Sequence, residues 1–570
     1  MTVPWGEPLS SSVLASGTSI IADTATLTGY LVSIAGGLSL IGGFALTSLR
    51  RRRRARAQLL KTGWQGAPSA TGSGALVYNE SSVDFKNIVL TVACAHTARE
   101  ARQDVGLLRA KAERLWPAQD LHETMVSGAV PPAGGSGDAT HLAAPHEVHA
   151  TFTDGRSYWY RNSERAVKLR ELTMWAEATR AETLRRYFGR RSVFQHDFAV
   201  RVHIESFERT EHLEAAFTAL GTTHHAPPGV RLPDIVVGPH DWIGRVVTDA
   251  LIAEPPPSLS RLHAVDPQAV AALSRHGRLY GVPYVFDSVA LIQNDALVGG
   301  PLPGNLAEVL AAGREAIARH RIDAGVPLAL QVGAPDGAGN AGDPYHFWPL
   351  FTSLGGSFFG LRDSATARFD DPGDWRAGFV EAFHRLAGLG VAGGGPLDPD
   401  TGRARSLELF LAGRAPYLIS SSRALRSIKD KGMQVTVGPV PGFGDQPAVP
   451  MVSVYGFFIY RGAPNLPAAR DLLTTYMQRP SAGLDLQRIQ QLVPVQTDAM
   501  TAAAAADPRL AGYVAQCRTG MIMPSYPEMR DAWGLLGRTE YDVLAGNGDP
   551  RDRAAQAADA GWEMLAGARA

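Results

Sequence analysis

From about residue 170 onward, short β-branched runs alternate with longer amphipathic stretches, which predicts an α/β fold with mainly parallel sheets. That part spans about 400 residues, more than one common core serves, so two lobes are expected. Upstream, an uncharged apolar stretch and a short alternating segment predict one transmembrane helix and a small accessory α+β unit.

The composition excludes several classes. The 570 residues carry 55 Lys+Arg against 55 Asp+Glu, a formal net charge of zero. No basic excess exists to hold a polyanion by counterion release, so nucleic acid is not an expected partner. With 45% apolar and 19% charged residues, the chain can bury sizeable cores. Two cysteines, Cys94 and Cys517, are too few for a disulfide scaffold or a four-cysteine zinc site.

Tyr30 to Leu49 is uncharged and, at about 1.5 Å per residue, long enough for a hydrocarbon core of about 30 Å. Arg50 to Arg54 and Arg56 follow at once, and no Lys or Arg precedes the stretch, which is the wrong polarity for a secretory signal. The charge rule therefore places an N-terminal tail (1–29) outside the membrane, a single span at 30–49, and an arginine-rich stop and linker (50–79) in the cytoplasm with everything after it.

The accessory unit is expected over residues 80–165. Phe85 to Ala93 alternates like a strand, and Ala98 to Trp116 has helical apolar spacing. Asp154-Gly155, between His149–Phe152 and Arg156–Tyr160, signals a hairpin. In the α/β part, Leu172–Trp175, Phe198–Ile204 and Asp234–Val237 read as strands. A basic helix through Arg190, and amphipathic helices at Leu306–Arg319 and Phe379–Leu389, read between and after them. No Gly-Lys dipeptide of a Walker loop and no G-x-S-x-G elbow occurs. His146-Glu147-Val148-His149 has the wrong spacing for a zinc helix, so no metal or cofactor is expected.

Five blocks of the α/β part resemble the maltose-binding group of ABC-transporter solute-binding proteins. They are LRELTMWAEA with FAVRVHIES; PDIVVGPHDWIG (Pro233 to Gly244); GVPYVFDSVALIQNDAL (Gly281 to Leu297); DPYHFWPLFTSLGG (Asp343 to Gly356); and ADPRLAGYVAQCRTGMIMPSYPEMRDAW (Ala506 to Trp533). They stand in family order over about residues 170–570. The resemblance implies a periplasmic-binding-protein-like clamshell over that span. Lobe 1 would hold about 170–285 and 452–500, and lobe 2 about 290–450 and 505–570.

It also implies a binding site for a carbohydrate of maltose or oligosaccharide type. Asp241 and Asp287 would accept sugar hydroxyls, with Arg180 a nearby donor, and Tyr345 and Trp533 would stack on sugar faces, with Asp343 alongside. Asp241 could instead cap the helix after it, and Trp533 could be core. Trp348 is expected in the core. Gly238 and Arg423 stand where the family often has aromatics. Arg423 therefore suggests a shorter sugar or an anionic one, unless it is a solvated helix cation.

Three functions fit these residues. The first is a membrane-anchored, monomeric receptor delivering sugar to an ABC permease. The second is a membrane-tethered intracellular sensor. The third is a glycoside hydrolase pairing Asp287 with Asp241 or Glu528. The two warrants disagree on placement: the charge rule puts the soluble part in the cytoplasm, and the resemblance puts it outside. The charge rule is the one followed, and no catalysis is expected.

Overall fold

The computed structural model describes residues 47–567 apart from 66–72, 95–99, 122–145, 154–157, 162–164, 170, 190–199, 254–263, 276, 334–340, 357–372, 445–447, 524 and 526–528. Most of the expected membrane span, residues 30–46, therefore lies outside the described part. Residues 47–57 form a helix that carries all six arginines of the block. Among the described residues no helix is long and apolar enough to cross a membrane.

The described residues between 60 and 169 are mainly antiparallel β-structure. Leu60–Gln65, Gly74–Asn79 and Glu113–Pro117 make a three-stranded sheet. A five-stranded sheet runs in the order Glu100–Leu108, Phe85–Cys94, His146–Thr153, Tyr158–Arg161, Ala166–Leu169. Their apolar residues meet in one core, where Phe85 meets Phe152 edge to face with centroids 4.9 Å apart, and Trp116 and Trp159 are buried. The helix expected over Ala98–Trp116 is two strands instead. Gly106 (φ 68°) and Lys111 (φ 63°) take left-handed conformations that an α-helix does not contain. The described part of the expected α+β unit is mainly β-structure with a short helix at 118–121, and its first strands occupy much of the expected 50–79 linker.

Two further sheets follow. The first orders Arg201–Phe207, Glu171–Glu177, Ile235–Pro239, Met451–Ile459, Val282–Asp287 and Val493–Pro494, with Met521–Ile522 also beside Met451–Ile459. The second orders Leu328–Leu330, Tyr417–Ser421, Val289–Asn294 and Val435–Gly438. Both are mixed rather than mainly parallel. Met451–Ile459 runs antiparallel to both Ile235–Pro239 and Val282–Asp287, because the chain returns through the first sheet after building the second.

Val282–Asp287 and Val289–Asn294 belong to different sheets and are separated by Ser288 alone, so the chain crosses between the lobes at Asp287–Ser288. Ser288 Oγ donates to Met451 O at 3.0 Å, tying this crossing to the next strand that passes it. Each sheet is covered by helices, among them Ala178–Tyr187 and Thr210–Thr223 on the first lobe, and Leu306–His320 and Gly373–Leu389 on the second.

The β-unit is packed on the first lobe. Tyr158 and Leu169 join the apolar core that holds Leu184, Phe457 and Leu473. Thr151 Oγ1 and Tyr158 OH both donate to the carboxylate of Asp471, which is 1% exposed.

Candidate functional site: the interlobe cavity

A cavity of about 930 Å³ opens where the two lobes meet at the crossing strands. Six of the seven residues expected from sequence line it: Asp241, Asp287, Asp343, Tyr345, Arg423 and Trp533. Arg180 does not. It sits on the helix Ala178–Tyr187, 3% exposed, with its guanidinium carbon 3.2 Å from the centre of the Tyr455 ring. Its place is behind Tyr455 and Asp287, so it supports the wall rather than facing a ligand.

Asp287 sits at the crossing between lobes. Its Oδ2 accepts from Arg423 Nη2 at 2.8 Å and lies 3.5 Å from Arg180 Nη2, so one carboxylate joins a first-lobe cation to a second-lobe cation. A second interlobe pair is Arg426–Glu182, 3.8 Å apart. Burial pulls the Arg180 pKa down, but Tyr284, Tyr455 and Asp287 outweigh it and hold the guanidinium charged. Burial would raise Glu177, yet Arg180, the Thr179 N–H and Arg423 together hold its carboxyl below the usual range. Arg423 is therefore engaged by Asp287 and faced by Glu177, and its side chain, 23% exposed, lines the cavity. Asp287 Oδ1 is buried and accepts no hydrogen bond from the described residues.

On the second lobe, Trp533 packs one side on Trp348, with ring centres 5.8 Å apart, and lines the cavity with what remains exposed. Trp348, 1% exposed, is core, as its sequence position suggests. Tyr345 OH donates to Asp287 O at 2.8 Å, and burial followed by the Asp287 charge pushes its phenol well above the usual range. Asp343 caps the helix Pro344–Thr352: Oδ1 accepts the Tyr345 N–H at 3.0 Å, and Oδ2 is 3.1 Å from His346 Nδ1. Its oxygens are thus committed to the protein rather than held out to a sugar.

On the first lobe, Asp241 enters the cavity from the turn His240–Trp242, and neither that turn nor the helix Ile243–Thr248 has a side-chain cap bond. Sequence reasoning missed Trp242, Tyr455 and His346, all of which line the cavity. A Cβ on Gly238 would come within 2.3 Å of the Trp242 ring, so the missing aromatic at 238 is the space that Trp242 occupies. The clue was the tryptophan inside the same PHDWIG block. Tyr455 was hidden in a strand that reads as continuous core.

Two buried groups flank the cavity with opposite pH dependence. His240 is 1% exposed; its Nδ1 accepts from Val454 N–H at 3.0 Å, and its other nitrogen faces Met523 O. Burial lowers its pKa to about 4. Glu540 is wholly buried against Gly342, neither oxygen has a partner among the described residues, and burial and the Asp343 charge push its pKa well above the usual range. The unfolded chain protonates His240 first, so its contribution is complete above about pH 6.5 and falls toward pH 4. The contribution of Glu540 is complete below about pH 4.5 and is lost as pH rises, because the unfolded carboxyl ionises first. The two slopes oppose each other between about pH 4.5 and 6.5. Glu540→Gln should therefore uncover stability rising with pH there, at up to about 1.4 kcal/mol per pH unit. Urea unfolding at several pH values checks this; identical slopes in variant and wild type would refute it.

A profile of bacterial extracellular solute-binding proteins matches residues 192–512, more than half of the chain, and the chain belongs to that family. Among its relatives is a maltotriose-binding protein of Pyrococcus abyssi (strain GE5 / Orsay), 23% identical over 350 residues, covering 59% of this chain and 70% of that protein. The mixed α/β lobes with their crossing strands fit the clamshell expected of such a family, which is one of binding proteins and not of enzymes. The expectation of a single-pass membrane protein with its soluble part in the cytoplasm is corrected on two findings. No helix among the described residues is long and apolar enough to span a membrane, and the family is extracellular. The arginine block that drove the charge rule lies in the helix 47–57, which leads into the β-unit.

Proposed function

We propose that this chain binds an oligosaccharide of the maltose type between its lobes and hands it to an ABC-type permease. The observation that carries this reading is the pairing, across one interlobe cavity, of an aromatic surface at Trp533 with a buried, unpartnered carboxylate oxygen at Asp287. Aromatic faces take the apolar C–H patches of a sugar, and carboxylates accept its hydroxyls. Asp241, Tyr455 and Trp242 supply further groups of both kinds. The similarity to a maltotriose-binding protein supports the choice of ligand. Lobes joined by crossing strands can close on a ligand as a hinge, and a closed receptor is what a permease would recognise. Hydrolysis is disfavoured because the family to which the chain belongs is one of binding proteins. Glu528, the other carboxylate considered for that role, lies outside the described residues.

Labelled maltotriose incubated with the full chain should be retained and recovered intact. Recovery of glucose or maltose in amounts that grow with time would instead establish a hydrolase.

A further inference from the structure

Asp343 and His346 begin the helix Pro344–Thr352 and are 7% and 5% exposed. Asp343 Oδ2 lies 3.1 Å from His346 Nδ1. A carboxylate only accepts, so Nδ1 must carry the proton, and in the neutral ring Nε2 is then left with a lone pair. The capping bond from Tyr345 N–H to Oδ1 fixes the carboxylate, and the carboxylate fixes the ring. Nε2 has no partner among the described residues, and His346 is one of the residues that line the cavity. An imidazole held in one orientation and one tautomer in the wall of a ligand cleft is preorganised to read a hydroxyl.

We propose that His346 accepts a hydrogen bond from a ligand hydroxyl through Nε2, and that Asp343 is a positioning residue which sets the tautomer. The inference rests on the oligosaccharide reading above and sharpens it. Beside the apolar surfaces of Tyr345 and Trp533, this subsite takes an O–H rather than a C–H patch. A phenylalanine at the same position would offer only a ring face.

The test uses the full chain with maltotriose as the probe. Nitrogen NMR of ¹⁵N-histidine-labelled protein at about pH 8, assigned with His346→Gln, should show His346 Nδ1 protonated and Nε2 bare before ligand is added. Maltotriose should then shift the Nε2 signal. By calorimetry, His346→Phe should weaken binding at least tenfold, and His346→Gln, whose amide oxygen also accepts, should recover most of the loss. Asp343→Asn, which frees Nδ1 to accept from the amide, should move the proton to Nε2 and weaken binding although His346 remains. A protonated Nε2 in the ligand-free wild type overturns the proposal. So does an unmoved Nε2 signal with unchanged affinity in His346→Phe. If wild type takes up no maltotriose, the oligosaccharide reading fails first and this inference fails with it.

Discussion

Asp287→Leu is expected to lower the free energy of unfolding by about 3–5 kcal/mol, the usual range when one partner of a buried ion pair is removed. The aspartate side chain is 8% exposed and that of Arg180 is 3% exposed. Without the carboxylate, the Arg180 guanidinium keeps the Tyr455 face, a 3.4 Å contact with Tyr284 OH and the charge of Glu177, but loses its ion-pair partner. Arg423 loses its hydrogen-bond acceptor at the same time. Asp287→Asn keeps the shape but not the charge, so it too should destabilise, by less. The double variant Arg180→Met with Asp287→Leu should regain part of the loss, because the fully buried cation is then gone and only Arg423, whose side chain is 23% exposed, lacks the carboxylate. Urea unfolding measures all three. A loss below about 1 kcal/mol in Asp287→Leu would mean that this carboxylate is a surface group and not the joint between lobes.

The second large effect is removal of residues 1–169. The loop-rich composition around residues 62–74 and 127–137 suggests an independent domain starting near residue 165, but the packing contradicts a clean cut there. Truncation would expose Asp471, now 1% exposed, and take away the hydroxyls of Thr151 and Tyr158 that bond it. Hydrogen bonds to a buried charge contribute about 1.5–3 kcal/mol each, and the apolar cover of Tyr158 and Leu169 is lost as well. Together these approach the whole stability of a domain, about 5–15 kcal/mol. Residues 170–570 alone should be insoluble or melt far below the chain from residue 47, whose β-unit is kept. Equal melting temperatures for the two would show that the β-unit contributes nothing to the first lobe.

Much of the binding part was legible because local patterns and motifs agreed. The strand–turn block Pro233–Gly244, the crossing strand through Asp287 and the helix start at Asp343 lie in the middle of the first sheet, at the hinge and at the cavity respectively. The accessory unit was misread for a physical reason. Val105, Leu108, Ala112 and Trp116 fall at spacings of three and four, as in a helix, yet they reach one core from two strands joined by a turn without Asn-Gly or Pro. The cavity wall was legible by residue type but not by role. Arg180 and Asp343 stand at the right motif positions, and only three dimensions show them turned inward, one under Tyr455 and the other onto His346. An Asp–His spacing of three at a helix start was the available signal for the latter. The membrane span was drawn from the length of one uncharged apolar stretch and its side from charge asymmetry, warrants that carry no information about the fold after it.

The central claim is a carbohydrate site formed by Trp533 and Asp287 across the hinge. Isothermal titration of the full chain with maltotriose, run side by side with Trp533→Ala, tests it most directly, with melting temperatures recorded for both. Loss of a buried aromatic platform weakens binding by about 1–3 kcal/mol, roughly 5- to 150-fold in the dissociation constant. The expected result is saturable one-site binding by wild type and a loss of that size in a variant that is still folded. Wild-type binding that Trp533→Ala leaves unchanged, or a folded wild type that binds no maltotriose, would contradict it.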